Sequence, residues 1–255
     1  MTGSIAAICR HPIKGFTPER LSRVELEPGR RFPGDRIYAV ENGPSGFDPA
    51  TPVFIRKQKF TVLAAIPKLA QAQTEFDPDT GRLRAQAPDA APFDGELATE
   101  AGRAAFADWL TAFLGESANG PLRVLTAGDT HAFTDHADGQ ISIINLESVR
   151  DLQTRLGKHL DPLRFRANLY VNGWPAWSER DWTGQSLVLG DADAKVFKPI
   201  NRCAAIHVDP HTGEADLDLT KALFDHYGHT DCGIYVHVTV PGAVSVGDPC
   251  PQALP

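Results

Sequence analysis

Apolar positions in the first third of the chain come in short runs. Ile5 to Ile8, Val24 to Leu26, Arg36 to Val40, Pro52 to Arg56 and Thr61 to Ile66 are apolar or β-branched and mostly bounded by Gly, Pro or Asn. Such runs predict short strands joined by tight turns. Asn42-Gly43 is a hairpin-type dipeptide, but the following Pro44 points to a longer loop. Asp77 to Gly81 reads as a turn between a strand ending near Phe76 and one over Arg82 to Ala87. The expectation is an antiparallel meander or small barrel.

Helical spacing occurs in three places. From Glu100 to Gly115, residues Ala105, Trp109, Leu110, Phe113 and Leu114 share a face, with Thr99 as N-cap. Further helices are predicted from Leu146 to Gly157 and from Asp218 to Gly228, each closed by Gly. Their apolar faces are read as core. After Phe165 strand patterns return at Asn168 to Val171, Ser186 to Leu189, Lys195 to Pro199, Ala204 to Val208, Ile234 to Val240 and Ala243 to Val246. Pro241-Gly242 is expected to form a hairpin between the last two. The fold class is therefore mainly β with a few α-helices, as a barrel with helices over its ends. The Ala/Pro-rich stretch Ala85 to Phe93 is expected to be a surface loop and a soft domain boundary.

Composition narrows the function classes. A formal net charge of −7 over 255 residues opposes non-specific binding to nucleic acid or an anionic membrane, so an anion site requires a local basic cluster. The N-terminal apolar run ends at Arg10, and no segment approaches the roughly 18 apolar residues of a membrane span. Cys9, Cys203, Cys232 and Cys250 are scattered without a C-x-x-C pair, which fits neither a disulfide framework nor a zinc site. A reducing, cytoplasmic setting is the default expectation.

The chain lacks a G-x-S-x-G elbow, a P-loop, an H-E-x-x-H pair and a dinucleotide-binding glycine loop. His131 with His136, and His207 with His211, are read as surface or satisfied histidines. Asn201-Arg202-Cys203 follows a predicted strand, with Pro199 expected to stop regular pairing just before it. Cys203 is thus placed near a strand end, where a side chain can enter a cleft. Arg202 and Lys198 would favour its thiolate if they lie on the same side. On these grounds a reactive thiolate and a buried, inert cysteine both stay open.

Four ordered segments together resemble the MOSC family, the molybdenum-cofactor sulfurase C-terminal domain preceded by an N-terminal β-barrel. They are Ile8 to Gly15 (ICRHPIKG) continuing to Gly34-Asp35-Arg36, Arg164 to Gly173 (RFRANLYVNG) followed by Trp177 to Trp182, Asn201-Arg202-Cys203 with Val208 to Gly213, and Pro241-Gly242 with Val246-Gly247-Asp248. The resemblance implies an N-terminal barrel over residues 1–95 and a MOSC domain over residues 96–255, packed together around a cofactor site. It further implies a molybdenum-pyranopterin cofactor with Cys203 as metal ligand. Lys14, Arg36, Arg56, Asn145, Arg166, Asn168, Asn201 and Arg202 are the implied cofactor contacts. Asp209 is open between proton transfer and capping its own turn, and Trp174, Trp177 and Trp182 are assigned to packing.

Gly15 stands where relatives often carry a serine, and His207 where many carry a threonine, so a different substrate pocket is expected. Some relatives add a ferredoxin-type domain, but no C-x₄-C-x₂-C run occurs here. A reductase of N-hydroxylated compounds would therefore draw electrons from a separate ferredoxin- or cytochrome b5-type partner with a flavin reductase. The alternatives are a sulfur carrier, with a persulfide on Cys203 charged by a cysteine desulfurase, and a non-catalytic binding module that delivers the pterin to other enzymes.

Overall fold

The computed structural model describes residues 3–128, 131–136 and 141–252. Its elements in chain order are β1 (Ser4–Arg10), β2 (Glu19–Leu21), β3 (Arg23–Leu26), β4 (Tyr38–Asn42), β5 (Gln73–Asp77), β6 (Arg82–Gln86), β7 (Phe93–Glu96), α1 (Glu100–Leu114), β8 (Leu122–Thr126) and β9 (Ile141–Asn145). Then follow α2 (Leu146–Leu156), β10 (Leu169–Asn172), β11 (Ser186–Leu189), β12 (Ala192–Asn201), α3 (Leu219–Tyr227), β13 (Asp231–Val240) and β14 (Gly242–Ser245). The fold is mainly β with three helices, as the pattern predicts. No sheet closes into a barrel among the described residues.

The principal sheet has seven strands in the order β11-β12-β13-β9-β10-β1-β2. Its centre is β9, which pairs parallel with β10 and antiparallel with β13. All five residues of β9 are buried, because apolar layers cover both faces of the sheet. On one side Ile5, Ile143, Val171, Val196 and Val236 pack with Trp174 and Trp182. On the other, Ile144, Tyr170 and Cys232 meet Val149 and Leu152 of α2 and Leu219 and Leu223 of α3. A strand buried on both faces loses the polar/apolar alternation that marks half-buried strands, so β9 escaped the pattern reading. A second apolar cluster unites α1 with β4, β8 and the β5-β6-β7 sheet.

All three helices form where their spacing and caps predict. The Thr99 hydroxyl accepts from Gly102 N, and Gly157 and Gly228 close α2 and α3 in left-handed conformation. Several strand expectations are corrected. Pro52 to Arg56 and Thr61 to Ile66 are not strands, and Ala204–His207 is a single 3-10 turn. The Ala85 to Phe93 segment is shorter as a loop, being flanked by β6 and β7. Pro241-Gly242 makes no hairpin: β13 stays in the large sheet while β14 pairs with β3. Nor does Pro199 stop β12, which runs to Asn201; irregular register around Pro199 absorbs the missing N–H.

Candidate functional site

Three loops meet beside the C-terminal end of β12. The segment after β1 runs alongside the approach to β4: Arg36 N donates to the His11 carbonyl, Tyr38 N to Pro12 and Lys14 N to Tyr38. Phe133 N donates to the Arg36 carbonyl and adds a third segment. The Lys14 ammonium, buried here, donates to the Phe133 carbonyl at 2.9 Å and pairs with Asp135. Burial pulls the Lys14 pKa down, while Asp135, whose own burial works the other way, is held well below the usual carboxylate range by Lys14 and Arg36.

Arg166 follows a 3-10 turn over Pro162–Phe165 and holds left-handed backbone, φ 50°. Two other arginines grip its neighbourhood. Arg36 Nη2 donates to the Arg166 carbonyl at 3.1 Å, and Arg202 Nη1 donates to the Phe165 carbonyl at 2.9 Å. Arg202 Nε is fixed on the Cys232 carbonyl at 2.8 Å. One guanidinium nitrogen each of Arg166 and Arg202 is buried without a hydrogen-bond partner. Burial and the neighbouring Arg36 charge depress the Arg166 pKa to about 10. These cations therefore stand closer together than protein groups alone compensate.

They open onto a cavity of about 330 Å³, at the lower end of ordinary small-molecule sites. Among its lining residues are Lys14, Arg36, Lys57, Arg164, Arg166, Lys198 and Arg202, against one carboxylate, Asp135, among the described residues. Lys14 pairs with Asp135, Arg36 with Asp35, and Arg164 with Asp209 and Asp216. Lys57, Arg166, Lys198 and Arg202 carry no ion pair among the described residues. A chain of net charge −7 thus concentrates positive charge at one concave site.

Cys203 lines this cavity two residues beyond β12, half-buried, at the start of the 3-10 turn Ala204–His207. Lys57 lines the cavity with it and interacts with its sulfur electrostatically. Desolvation opposes the Lys57 charge, but Cys203, Asp135 and Tyr235 outweigh it and raise the amine's pKa. The other three cysteines are buried, and burial pushes Cys9 up to about 11 and Cys232 to about 12. They are poor nucleophiles and poor ligands. No group of three or more His, Cys, Asp or Glu side chains among the described residues could hold a bare metal ion. A metal at Cys203 would have to bring most of its own ligands.

Of the residues singled out from the sequence, Cys203, Lys14, Arg36, Arg166, Asn201 and Arg202 converge on the cavity. Asn145 lies elsewhere: it caps α2 through Glu147 N, and its amide donates to Glu179 and the Pro175 carbonyl. Asn168 is spent on Ser142, whose N and hydroxyl both donate to its Oδ1. Arg56 is exposed, and Lys57 beside it faces the cavity instead. Asp209 accepts from His211 N and Thr212 N and pairs with Arg164 at 2.9 Å, which makes it the cap of its turn. Trp174 and Trp182 are core. Sequence reasoning missed Lys57, Asp135, Arg164 and Tyr235. Arg164 lies inside the RFRANLY segment, whereas the others come from loops and a strand without a distinctive local pattern.

Comparison with known proteins agrees with this architecture. The MOSC N-terminal β-barrel domain matches residues 2–118, and the MOSC domain matches residues 127–250. The chain belongs to the MOSC family. Among its relatives, mitochondrial amidoxime reducing component 2 of Bos taurus is 31% identical over 44% of this chain and 36% of its own length. The Homo sapiens protein of that name is 29% identical over 62% of this chain and 49% of its own length. Molybdenum cofactor sulfurase of Bos taurus is 28% identical over 44% of this chain and 14% of its own. The matches thus span between about a third and a half of the amidoxime-reducing components. The crystal structure of the YUAD protein from Bacillus subtilis aligns over 98% of this chain and 94% of that one, at a TM-score of 0.45 and 14% identity. No helix among the described residues is long and apolar enough to cross a membrane.

Proposed function

We propose that this MOSC protein binds a molybdenum-pyranopterin cofactor through Cys203 and reduces N-hydroxylated substrates. The observation carrying the proposal is the conjunction of one half-buried cysteine with buried, unpartnered guanidinium nitrogens of Arg166 and Arg202 in one cavity. A thiolate is a fitting extra ligand for a metal already held by a dithiolene, and convergent arginines suit the pterin's phosphate. Arg36, Arg166 and Arg202 would hold that phosphate, with Lys14 behind them. When bound, the cofactor supplies two-electron oxygen-transfer chemistry.

The net reaction converts an amidoxime, two electrons and two protons into an amidine and water. The electrons come from a redox donor, which this reading requires. The chain's own groups prepare the site: the Lys57 amine, its pKa raised, lines the cavity beside Cys203, and the Tyr235 hydroxyl keeps its proton because burial raises its pKa. Relatives named amidoxime-reducing components support the reductase over a general pterin carrier.

Protein made in a cofactor-competent host should contain about one molybdenum per chain, lost in Cys203→Ala. It should reduce benzamidoxime with an artificial donor. A metal-free protein bearing cyanide-releasable sulfur on Cys203 would overturn this reading and make the protein a sulfur carrier.

A further inference from the structure

Cations in the cavity fall into two groups. Arg36, Arg166 and Arg202 gather around the Phe165 and Arg166 carbonyls. Lys57 and Lys198 instead accompany Cys203 and Tyr235. Lys57 and Cys203 line the same cavity and interact electrostatically, while Lys198 is paired in register with Tyr235 across β12 and β13, and both of these line the cavity too. Either lysine is half-buried and makes no direct ion pair among the described residues, with Asp135 acting on Lys57 from a longer distance. The Lys198 ammonium rests 5.3 Å from the Phe197 ring centre.

A pterin phosphate is separated from the metal by the dithiolene and pyran carbons. A cation beside the metal-binding cysteine in the cavity is therefore at the reacting end of the site, away from the phosphate. We propose that the substrate carries an anionic group, such as a carboxylate, which Lys57 and Lys198 recognise beside Cys203. This rests on the reading of the cavity as a molybdenum site with Cys203 as ligand. A local pair of ammonium groups in a net-negative protein attracts an anion over short range and selects against cationic competitors.

The test compares 4-carboxybenzamidoxime with benzamidoxime. Calorimetric titration of oxidised, molybdenum-loaded protein without an electron donor measures binding with no turnover. The carboxylate compound should bind at least about tenfold more tightly, the size of one well-formed charge contact, and the preference should shrink as salt rises. Lys57→Gln and Lys198→Gln should each cut the ratio several-fold, both in binding and in the ratio of kcat/KM values. Equal affinity for both compounds overturns the inference while leaving the reductase reading intact. So does a Lys57→Gln variant whose cofactor-free Cys203 alkylates more slowly but whose carboxylate preference is unchanged, since Lys57 is then a counter-ion of the thiolate alone. If neither compound binds nor is reduced by fully loaded protein, the reductase reading itself fails.

Discussion

Arg36 and Arg166 are joined through backbone as well as charge: Arg36 Nη2 donates to the Arg166 carbonyl at 3.1 Å, and both hold positive φ, 53° and 50°. Left-handed backbone at a non-glycine residue costs on the order of 1 kcal/mol or more. Burial of the Arg166 guanidinium, and after it repulsion from the adjacent Arg36, depress the Arg166 pKa. Such strain at a cavity is consistent with an anion that completes the site.

Arg166→Met should therefore have opposite effects on the two forms of the protein. Cofactor-free protein should gain about 1 kcal/mol, a rise in Tm of about 2–4 °C, because a buried charge and its repulsion from Arg36 are removed. The same variant should retain markedly less molybdenum after purification. Thermal melts paired with metal analysis check both effects. A variant that melts lower when empty yet keeps its full metal would contradict the repulsion argument.

His11 and Asp35 set an acid limit on stability. His11 is fully buried, and burial together with Arg166 lowers its pKa to about 3. The imidazole is neutral in the fold but takes up a proton when unfolded, near its ordinary pKa of about 6.5. Between those values the unfolded chain binds more protons, so stability falls as pH falls, by up to about 1.4 kcal/mol per unit. Asp35, held below the usual range by Arg36 and His11 against the effect of burial, contributes in the same direction at still lower pH. Urea melts between pH 7 and pH 4 should show this slope, and His11→Gln should flatten it above pH 4. An unchanged slope in the variant would assign the acid sensitivity elsewhere.

Asn145 should affect folding and leave the cofactor alone. Its amide serves the buried Glu179 and the Pro175 carbonyl while its oxygen caps α2. Asn145→Ala removes the cap and one of the donors to the buried Glu179 carboxyl, leaving Ser148, and should cost about 2 kcal/mol. Asn145→Asp should cost more, because a second carboxylate then faces Glu179, whose pKa burial already raises. The Ala variant's folded fraction should keep normal molybdenum stoichiometry. Normal melting with lost metal would place Asn145 in the site after all.

The helices were legible because spacing, N-cap and C-terminal glycine all agree at α1, α2 and α3. Motif order also singles out Lys14, Arg36, Arg166, Arg202 and Cys203, and the fold gathers them around one cavity. What escaped was set by tertiary context. Burial of β9 on both faces erased its alternation, and only the folded chain shows that Lys57, rather than the adjacent Arg56, turns inward. Asn145 and Asn168 occupy motif positions, yet their hydrogen-bonding capacity is consumed by Glu179 and Ser142. Sequence position alone cannot distinguish an asparagine that meets a ligand from one that holds up the wall behind it.

Gly15 tests how far a relative's residue can be transplanted. Its φ is +92°, and a Cβ there would meet Leu69 Cδ2 at 2.8 Å and the Thr61 carbonyl oxygen at 2.9 Å. The leucine can rotate, but the carbonyl belongs to backbone, and Thr61 N is itself committed to the Val40 carbonyl. A serine at this position would thus bring strain and a clash before its hydroxyl could reach any ligand. Gly15→Ser and Gly15→Ala should lose similar stability, about 2 kcal/mol or more. Both should also lose molybdenum through displacement of the adjacent Lys14. Equal losses identify the Cβ as the cause. A Ser variant that melts normally and holds the cofactor more tightly would show instead that this backbone can adjust, and that the missing hydroxyl is a difference in recognition.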